Sequence, residues 1–230
     1  MIKLVYSPTW FCGKDLLIDV VSLFVLLLIS GFASKCYRIN KNKSYRSFSL
    51  AFGFLALSFF FKIMTNFSIY YTSLVEKNFG FFVLTYEALN RSNALLVIGF
   101  FGYFFFGLMG LMTLWRIYNK ESSKPLVFLM TYFMIITAYV SMINPLAFHL
   151  TSLIFLILIT TTYMRNYHES NSKNAGVLAY AFLLITFSHL TFIFMWMHPI
   201  VYVLAEVVQL AGYLMLFSVF FRITKNGKKK

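Results

Sequence analysis

The sequence predicts an all-α, polytopic membrane protein with seven transmembrane helices. Of its 230 residues, 60% are hydrophobic and 12% are charged, whereas soluble domains carry about 25% charged residues. Apolar runs near the roughly 20 residues that cross a hydrocarbon core as a helix recur along the chain. These runs are apolar on every face, which argues against a soluble helical protein. We therefore expect one domain over residues 1–230, a seven-helix bundle in the cell membrane.

Seven spans follow one another with short links between them. Pro145 and Pro199 fall in the first turns of the fifth and seventh spans, where a missing N–H costs least. The tight links "INP" and "MHP" make spans four and five, and six and seven, antiparallel neighbours. The predicted spans cover residues 15–37, 48–71, 95–117, 124–143, 145–166, 175–197 and 199–223.

The basic residues predict the orientation of the bundle. Links after spans one, three and five, together with the tail, hold fifteen Lys and Arg residues, against four on the other side. The basic side is expected to be cytoplasmic, with the N-terminus outside and the C-terminus inside. Because these charges sit in the links, the net charge of +13 does not indicate nucleic acid. The cytoplasmic tail 224–230 should bind anionic lipid through Lys225, Lys228, Lys229 and Lys230.

The longest link, residues 72–94, is expected to be an outer loop. It contains "FGFFVLTYEAL", which is too apolar for a freely solvated loop. One interpretation is an interfacial helix or hairpin that covers the mouth of the bundle. The other is a simple loop beside a misplaced boundary of the third span.

Two similar segments suggest an internal repeat. "LAFGFLALSF" at 50–59 resembles "LAYAFLLITF" at 178–187, and "GLMGLMTLWRI" at 107–117 resembles "YLMLFSVFFRI" at 213–223. Spans one to three would then correspond to spans five to seven in the same orientation, as a 3+1+3 parallel repeat with the fourth span unmatched. The alternative is chance similarity between apolar segments.

The 3+1+3 layout is similar in topology to microbial rhodopsins, to SWEET-type transporters and to seven-helix sensor modules that precede some histidine kinases. "PTWFCGKDLLID" followed by "YRINKNKSYRSFSLAFGFLALSFFFK" also resembles small archaeal seven-span membrane proteins, which implies no known activity. Against the rhodopsin pattern D-V-x-A-K-V-G, "EVVQLAG" puts Glu206 at the counter-ion carboxylate and Leu210 at the retinal lysine. The resemblance therefore implies no retinal function, and we expect no cofactor.

Several polar side chains are predicted to lie in one layer, in the outer half of the membrane. At about 1.5 Å per residue, Glu206 is roughly 10 Å deep, Lys62 roughly 13 Å, His189 about 12 Å and Asp19 about 6 Å. Charges at such depth usually mark an ion path, a ligand site or an internal pair. The candidate pocket or ion-pair residues are Glu206, Lys62, His189, Asp19, Asn66 and Gln209.

The favoured hypothesis is a polar pocket open to the outside, with Lys62 paired to Glu206 or to Asp19. The competing interpretation leaves these groups unpaired: Lys62 would extend toward headgroups, and Glu206 would stay protonated. Asp15 and Asp19 sit in the first turns of span one, where acidic residues favour the helix dipole.

The four histidines do not predict a metal or haem site. His149 and His189 are the nearest pair, and their expected depths differ by roughly 6 Å. No CxxCH, HExxH or clustered Cys/His motif occurs in the chain. We therefore expect no metal.

No nucleophile–base set is visible, so an enzyme is not the favoured class. An outward pocket above basic cytoplasmic links favours a sensor, binding or scaffold module that works with a protein partner in the membrane or cytoplasm. The alternative is a small-solute or proton-coupled transporter, which the repeat and a buried Glu/Lys pair would suit. Membrane lipids are the other expected partners.

Overall fold

The chain forms a bundle of α-helices joined by short links in a computed structural model. The structure describes residues 7–8, 10–11, 13–78, 82–118 and 124–226, and their side chains over 7–8, 10–11, 13–68, 95–117 and 125–222. Within these ranges the elements are α1 (Lys14–Asn40), α2 (Lys43–Asn78), α3 (Phe82–Tyr118), α4 (Lys124–Ile143), α5 (Leu146–Ser170), α6 (Lys173–Ile193) and α7 (Pro199–Asn226).

In the described part of the chain, seven helices are long and apolar enough to cross a membrane. The prediction of an all-α fold is thereby confirmed, and seven such helices indicate a multi-pass membrane protein. Pro145 directly precedes α5 and Pro199 is the first residue of α7, as their missing N–H groups favour. The sixth helix ends at Ile193, four residues before the predicted boundary, because residues 194–197 form turns.

Six helices form a closed ring, and the fourth lies outside it. Around the ring, α1, α2, α3, α5, α6 and α7 pack in that order, and α1 closes against α7. α4 packs only on α3 and α5 among the described elements, and its Phe128 is 77% exposed. The main core fills the ring, with Leu26, Phe52, Phe182 and Leu216 essentially fully buried.

The expected outer loop at 72–94 is mostly helical instead. α2 continues to Asn78 and α3 begins at Phe82, so the two helices extend well past the predicted span boundaries. Intrahelical hydrogen bonding can continue beyond the apolar run, because hydropathy sets the length of a span and not of a helix. The side chains of 69–94, and all of residues 79–81, lie outside the described residues. The side chains of the predicted lipid-binding lysines of the tail also lie outside them.

Two links turn the chain through a residue with a left-handed backbone. Lys41 ends α1 with φ 52°, and its N–H bonds the carbonyl of Tyr37 at 2.8 Å. Asn171 ends α5 with φ 48°, and its N–H bonds the carbonyl of Tyr167 at 2.9 Å. Both close the last helical turn in the way that glycine usually does.

We expect Lys41→Gly to stabilise the protein by about 0.5–1 kcal/mol. The steric strain of a lysine Cβ in the left-handed conformation is larger than the conformational entropy that glycine loses on folding. Asn171→Gly should gain less, since asparagine tolerates positive φ. Thermal unfolding in detergent micelles measures both. Lys35→Gly, at an exposed position inside α1, is the control and should destabilise by about 1 kcal/mol. A loss of stability in Lys41→Gly would contradict this prediction.

Candidate functional site

A buried lysine joins two carboxylates from two other helices. Lys62 of α2 places Nζ 2.7 Å from Asp19 Oδ1 of α1 and 2.6 Å from Glu206 Oε1 of α7. The lysine side chain is 12% exposed, and those of Asp19 and Glu206 are 0% and 1% exposed. Asn66, one turn after Lys62, donates Nδ2 to Asp19 Oδ2 at 3.1 Å. We call Asp19, Lys62, Asn66 and Glu206 the charged cluster.

Helix periodicity and ring order bring the charged cluster together. α1 packs against both α2 and α7, whereas α2 and α7 share no close backbone contact over the described residues. Asp19 lies on the buried face of α1, from which its carboxylate meets the lysine of α2. The long Lys62 side chain then reaches past α1 to α7. Asp15 instead accepts N–H groups of Gly13 and Leu16 at 2.9 and 2.8 Å, a role at the helix start.

The charged cluster contains one more carboxylate than lysine. Glu206 Oε2 is buried and has no hydrogen-bond partner within the described part of the chain. The ammonium lies 5.5 Å from the centre of the Phe59 ring and 5.9 Å from that of Tyr103, so aromatic faces supply its remaining attraction. A buried, unpaired charge is costly. The cluster is therefore suited to take up one further positive group or hydrogen-bond donor at Glu206.

Two histidines form a second polar group, which we call the histidine pair. His149 Nδ1 of α5 lies 3.4 Å from His189 Nδ1 of α6, and the residues are 5% and 4% exposed. The depth difference of roughly 6 Å expected from the sequence did not predict this contact. The estimate counted His189 from a helix end at residue 197, but α6 ends at Ile193 and His189 lies one turn from it.

Gln209 joins the histidine pair and not the charged cluster. Its Nε2 lies 3.4 Å from His189 Nε2 and 3.5 Å from the hydroxyl of Tyr213. Gln209 is three residues after Glu206 on α7, so the two side chains leave the helix in neighbouring directions. The layer of polar residues expected from the sequence is thus divided into two groups.

An internal cavity lies beside both polar groups. It has about 20 Å³ of room for the centres of water-sized molecules, enough for about one water molecule. His189 and Gln209 line it, whereas Asp19, Lys62, Asn66 and Glu206 do not. On α2 the lining residues lie between Phe52 and Phe59. On α7 the other lining residues are Tyr213 and Leu216. These positions extend from the polar layer toward the α1–α2 link, away from the expected outer mouth.

Comparisons with protein-family models, curated proteins and solved structures find no match for this chain. Among the described residues, no group of three or more His, Cys, Asp or Glu side chains is placed to hold a metal ion. The charged cluster, the histidine pair and the cavity are therefore the features of the molecule that bear on its function.

Tyr103 and Ser58 also line the cavity, and neither was among the candidate site residues predicted from the sequence. Ser58 Oγ donates to the carbonyl of Tyr103 at 2.7 Å and so ties α2 to α3. Tyr103 stands in "GFFGYFFFG", where a hydroxyl among phenylalanines was the one available signal. Its direction could not be read from the sequence, because α3 is apolar on every face.

Proposed function

We propose that the chain is a membrane-embedded sensor or binding module that works with a protein partner. The observation that carries this proposal is the buried Lys62 held between Asp19 and Glu206. Ionised groups at such depth cost several kcal/mol each, and a purely structural core does not need them. Their retention is best explained by a ligand that acts on them.

The ligand class follows from the unbalanced charge. Two carboxylates and one ammonium leave one negative charge without a partner at Glu206 Oε2. A proton, a small cation or a small molecule with an N–H donor could bind there. The adjoining cavity admits only a small group. Larger ligands would require the helices to separate.

Binding would be transmitted through the helices that the cluster connects. Asp19, Lys62 and Glu206 belong to α1, α2 and α7. A ligand that competes for Glu206 would loosen its contact with Lys62 and shift α7 relative to α2. Such differential contact between two states is what a sensor needs.

The arrangement in the membrane is part of the proposal. The N-terminus is outside and the C-terminus inside, since fifteen basic residues lie in the links and tail of one side. That side faces anionic lipid, to which the tail binds, and a protein partner in the membrane or cytoplasm. In this arrangement the charged cluster lies in the outer half of the bundle, and a ligand would reach it from the outside.

A small-solute or proton-coupled transporter is the second candidate, and it is favoured by features that recur in the two halves. The α1–α2 link at Lys41 and the α5–α6 link at Asn171 have the same backbone turn, 130 positions apart. The contacts between α2 and α3 also match those between α6 and α7. Equivalent residues of α2 and α6 are again 130 positions apart in the sequence, and equivalent residues of α3 and α7 are 102 positions apart. The matched pairs are Ser58 with Ser188, Ala51 with Ala181, Leu55 with Ile185, Tyr103 with Ala205, and Gly110 with Gly212.

These matches support a parallel repeat of α1–α3 and α5–α7, with α4 outside the ring. The spacing differs from the 128 residues between 50–59 and 178–187. Short apolar segments align at several registers, and the matching contacts favour the 130-residue spacing. Alternating access between two such halves is a common transport mechanism.

Flux through the purified chain in proteoliposomes separates the two candidates. We expect no proton or solute flux above that of protein-free vesicles, measured with a trapped pH dye under an imposed potential. Glu206→Gln should leave that baseline unchanged while it alters thermal stability, because it removes a charge from the cluster. A flux that Glu206→Gln abolishes, and that the exposed-site control Glu169→Gln preserves, would refute the sensor proposal and support the transporter.

A further inference from the structure

The histidine pair has the geometry of two ligands on one metal ion. Two nitrogens bound to a tetrahedral Zn²⁺ at about 2.0–2.1 Å lie about 3.3–3.4 Å apart. His149 Nδ1 and His189 Nδ1 are 3.4 Å apart, at the long end of the hydrogen-bond range and equal to the spacing of two nitrogen ligands on one Zn²⁺. We propose that His149 and His189 bind a transition-metal ion between their Nδ1 atoms, with Zn²⁺ or copper as the class that imidazole suits.

The surroundings of His189 orient it for this role. A metal-bound histidine usually gives its other ring N–H to an oxygen acceptor, which fixes the tautomer. The side-chain amide of Gln209 lies 3.4 Å from His189 Nε2. Because the two ends of an amide are assigned by their neighbours, its oxygen can face that nitrogen. Nε2 then carries the proton, and Nδ1 presents its lone pair toward His149.

A third polar atom is available one turn from His149. Ser152 Oγ is fully buried and has no hydrogen-bond partner within the described residues. Residues three apart on a helix share a face, so Ser152 lies on the same side of α5 as His149. The two imidazoles would leave further positions open for water or an exogenous ligand, as in open rather than closed zinc sites.

The parallel repeat proposed above gives a second reason to expect a cation here. At the 130-residue spacing, His149 corresponds to Asp19, and Ser152 corresponds to Ser22, whose Oγ is also buried and unpartnered in the described structure. In the first half, Asp19 binds a cation that the chain itself supplies, the Lys62 ammonium. Phe192 stands at the position equivalent to Lys62. The second half therefore has ligands without a built-in cation.

The metal site uses none of the charged cluster, so it is tested separately from the sensor proposal. The full chain, purified without a histidine tag in lipid nanodiscs, is titrated with Zn²⁺ against a chromophoric chelator. We expect one Zn²⁺ per chain, and His149→Ala and His189→Ala should each weaken binding at least about tenfold. His168→Ala and His198→Ala change exposed histidines and should bind as wild type does.

Two further measurements guard against misfolded variants. Zn²⁺ should raise the thermal unfolding temperature of the wild type and of the exposed-site variant His168→Ala, and not that of His189→Gln, which keeps a polar side chain. Co²⁺ bound to the wild type should show the visible absorption of a tetrahedral site with nitrogen ligands. Absence of Zn²⁺ and Co²⁺ binding in the wild type would overturn the proposal. So would binding that the two alanine variants retain.

Discussion

Replacing Lys62 with methionine is expected to destabilise the protein by about 3–5 kcal/mol, the usual cost of removing one partner from a buried ion pair. The variant leaves Asp19 and Glu206 buried without their shared cation, and Asn66 alone cannot satisfy both carboxylates. The free energy of unfolding in mixed SDS micelles, followed by circular dichroism, measures the loss. Arg165→Met breaks the exposed pair with Glu169 on α5 and should cause no measurable change.

The combined variants test whether the charged cluster acts as a unit. Lys62→Met with Asp19→Asn and Glu206→Gln removes every charge together, so it should be less harmful than Lys62→Met alone. Coupled residues show interaction energies of about 0.5–3 kcal/mol in such cycles. Losses that add strictly across the single variants would mean that the three groups do not interact, and the basis of the sensor proposal would be lost.

Gly110→Ala and Gly212→Ala are the changes with the next largest expected effect, a loss of about 1–3 kcal/mol each from overpacking. A Cβ at Gly110 would lie 2.7 Å from Leu55 Cγ and 3.0 Å from the carbonyl oxygen of Ala51. A Cβ at Gly212 would lie 2.6 Å from Ile185 Cγ1. Both glycines let neighbouring helices approach closely, as small residues do in membrane bundles.

Gly31→Ala provides the matched control, because nothing lies within 4 Å of a Cβ at that position in α1. There the change should stabilise the protein by up to about 1 kcal/mol, since alanine is the better helix former. The thermal unfolding temperature should therefore fall in Gly110→Ala and Gly212→Ala and rise in Gly31→Ala. Equal stabilisation in all three would show that α2–α3 and α6–α7 are not in close contact at these glycines.

The sequence was most informative where a property depends on a long run of residues. The helical class and the number of spans follow from hydropathy, because a bilayer demands about 20 apolar residues per crossing. Boundaries were less predictable: α6 ends at Ile193, and α2 and α3 extend into 72–94. A helix end depends on local hydrogen bonds and turns that apolar composition does not specify.

The candidate site was predictable in its residues and not in its contacts. Glu206, Lys62 and Asp19 were conspicuous because charges within apolar runs are rare. Estimated depth did not decide their contacts: Asp19 and Lys62 were expected about 7 Å apart in depth and His149 and His189 roughly 6 Å apart, yet both pairs meet. The rise per residue gives a position along one helix only. An error in the position of a helix end therefore shifts the estimated depth of every residue counted from that end.

The sequence by itself determined the helical class, the seven runs long and apolar enough to cross a membrane, and the few polar side chains within those runs. Only the tertiary structure decided which of them meet: Lys62 with both Asp19 and Glu206, and Gln209 with His189. The physical reason is that hydropathy is a property of each helix alone. Side-chain contacts depend on the rotation of each helix about its axis and on its neighbours in the ring, and helices apolar on every face carry little information about either.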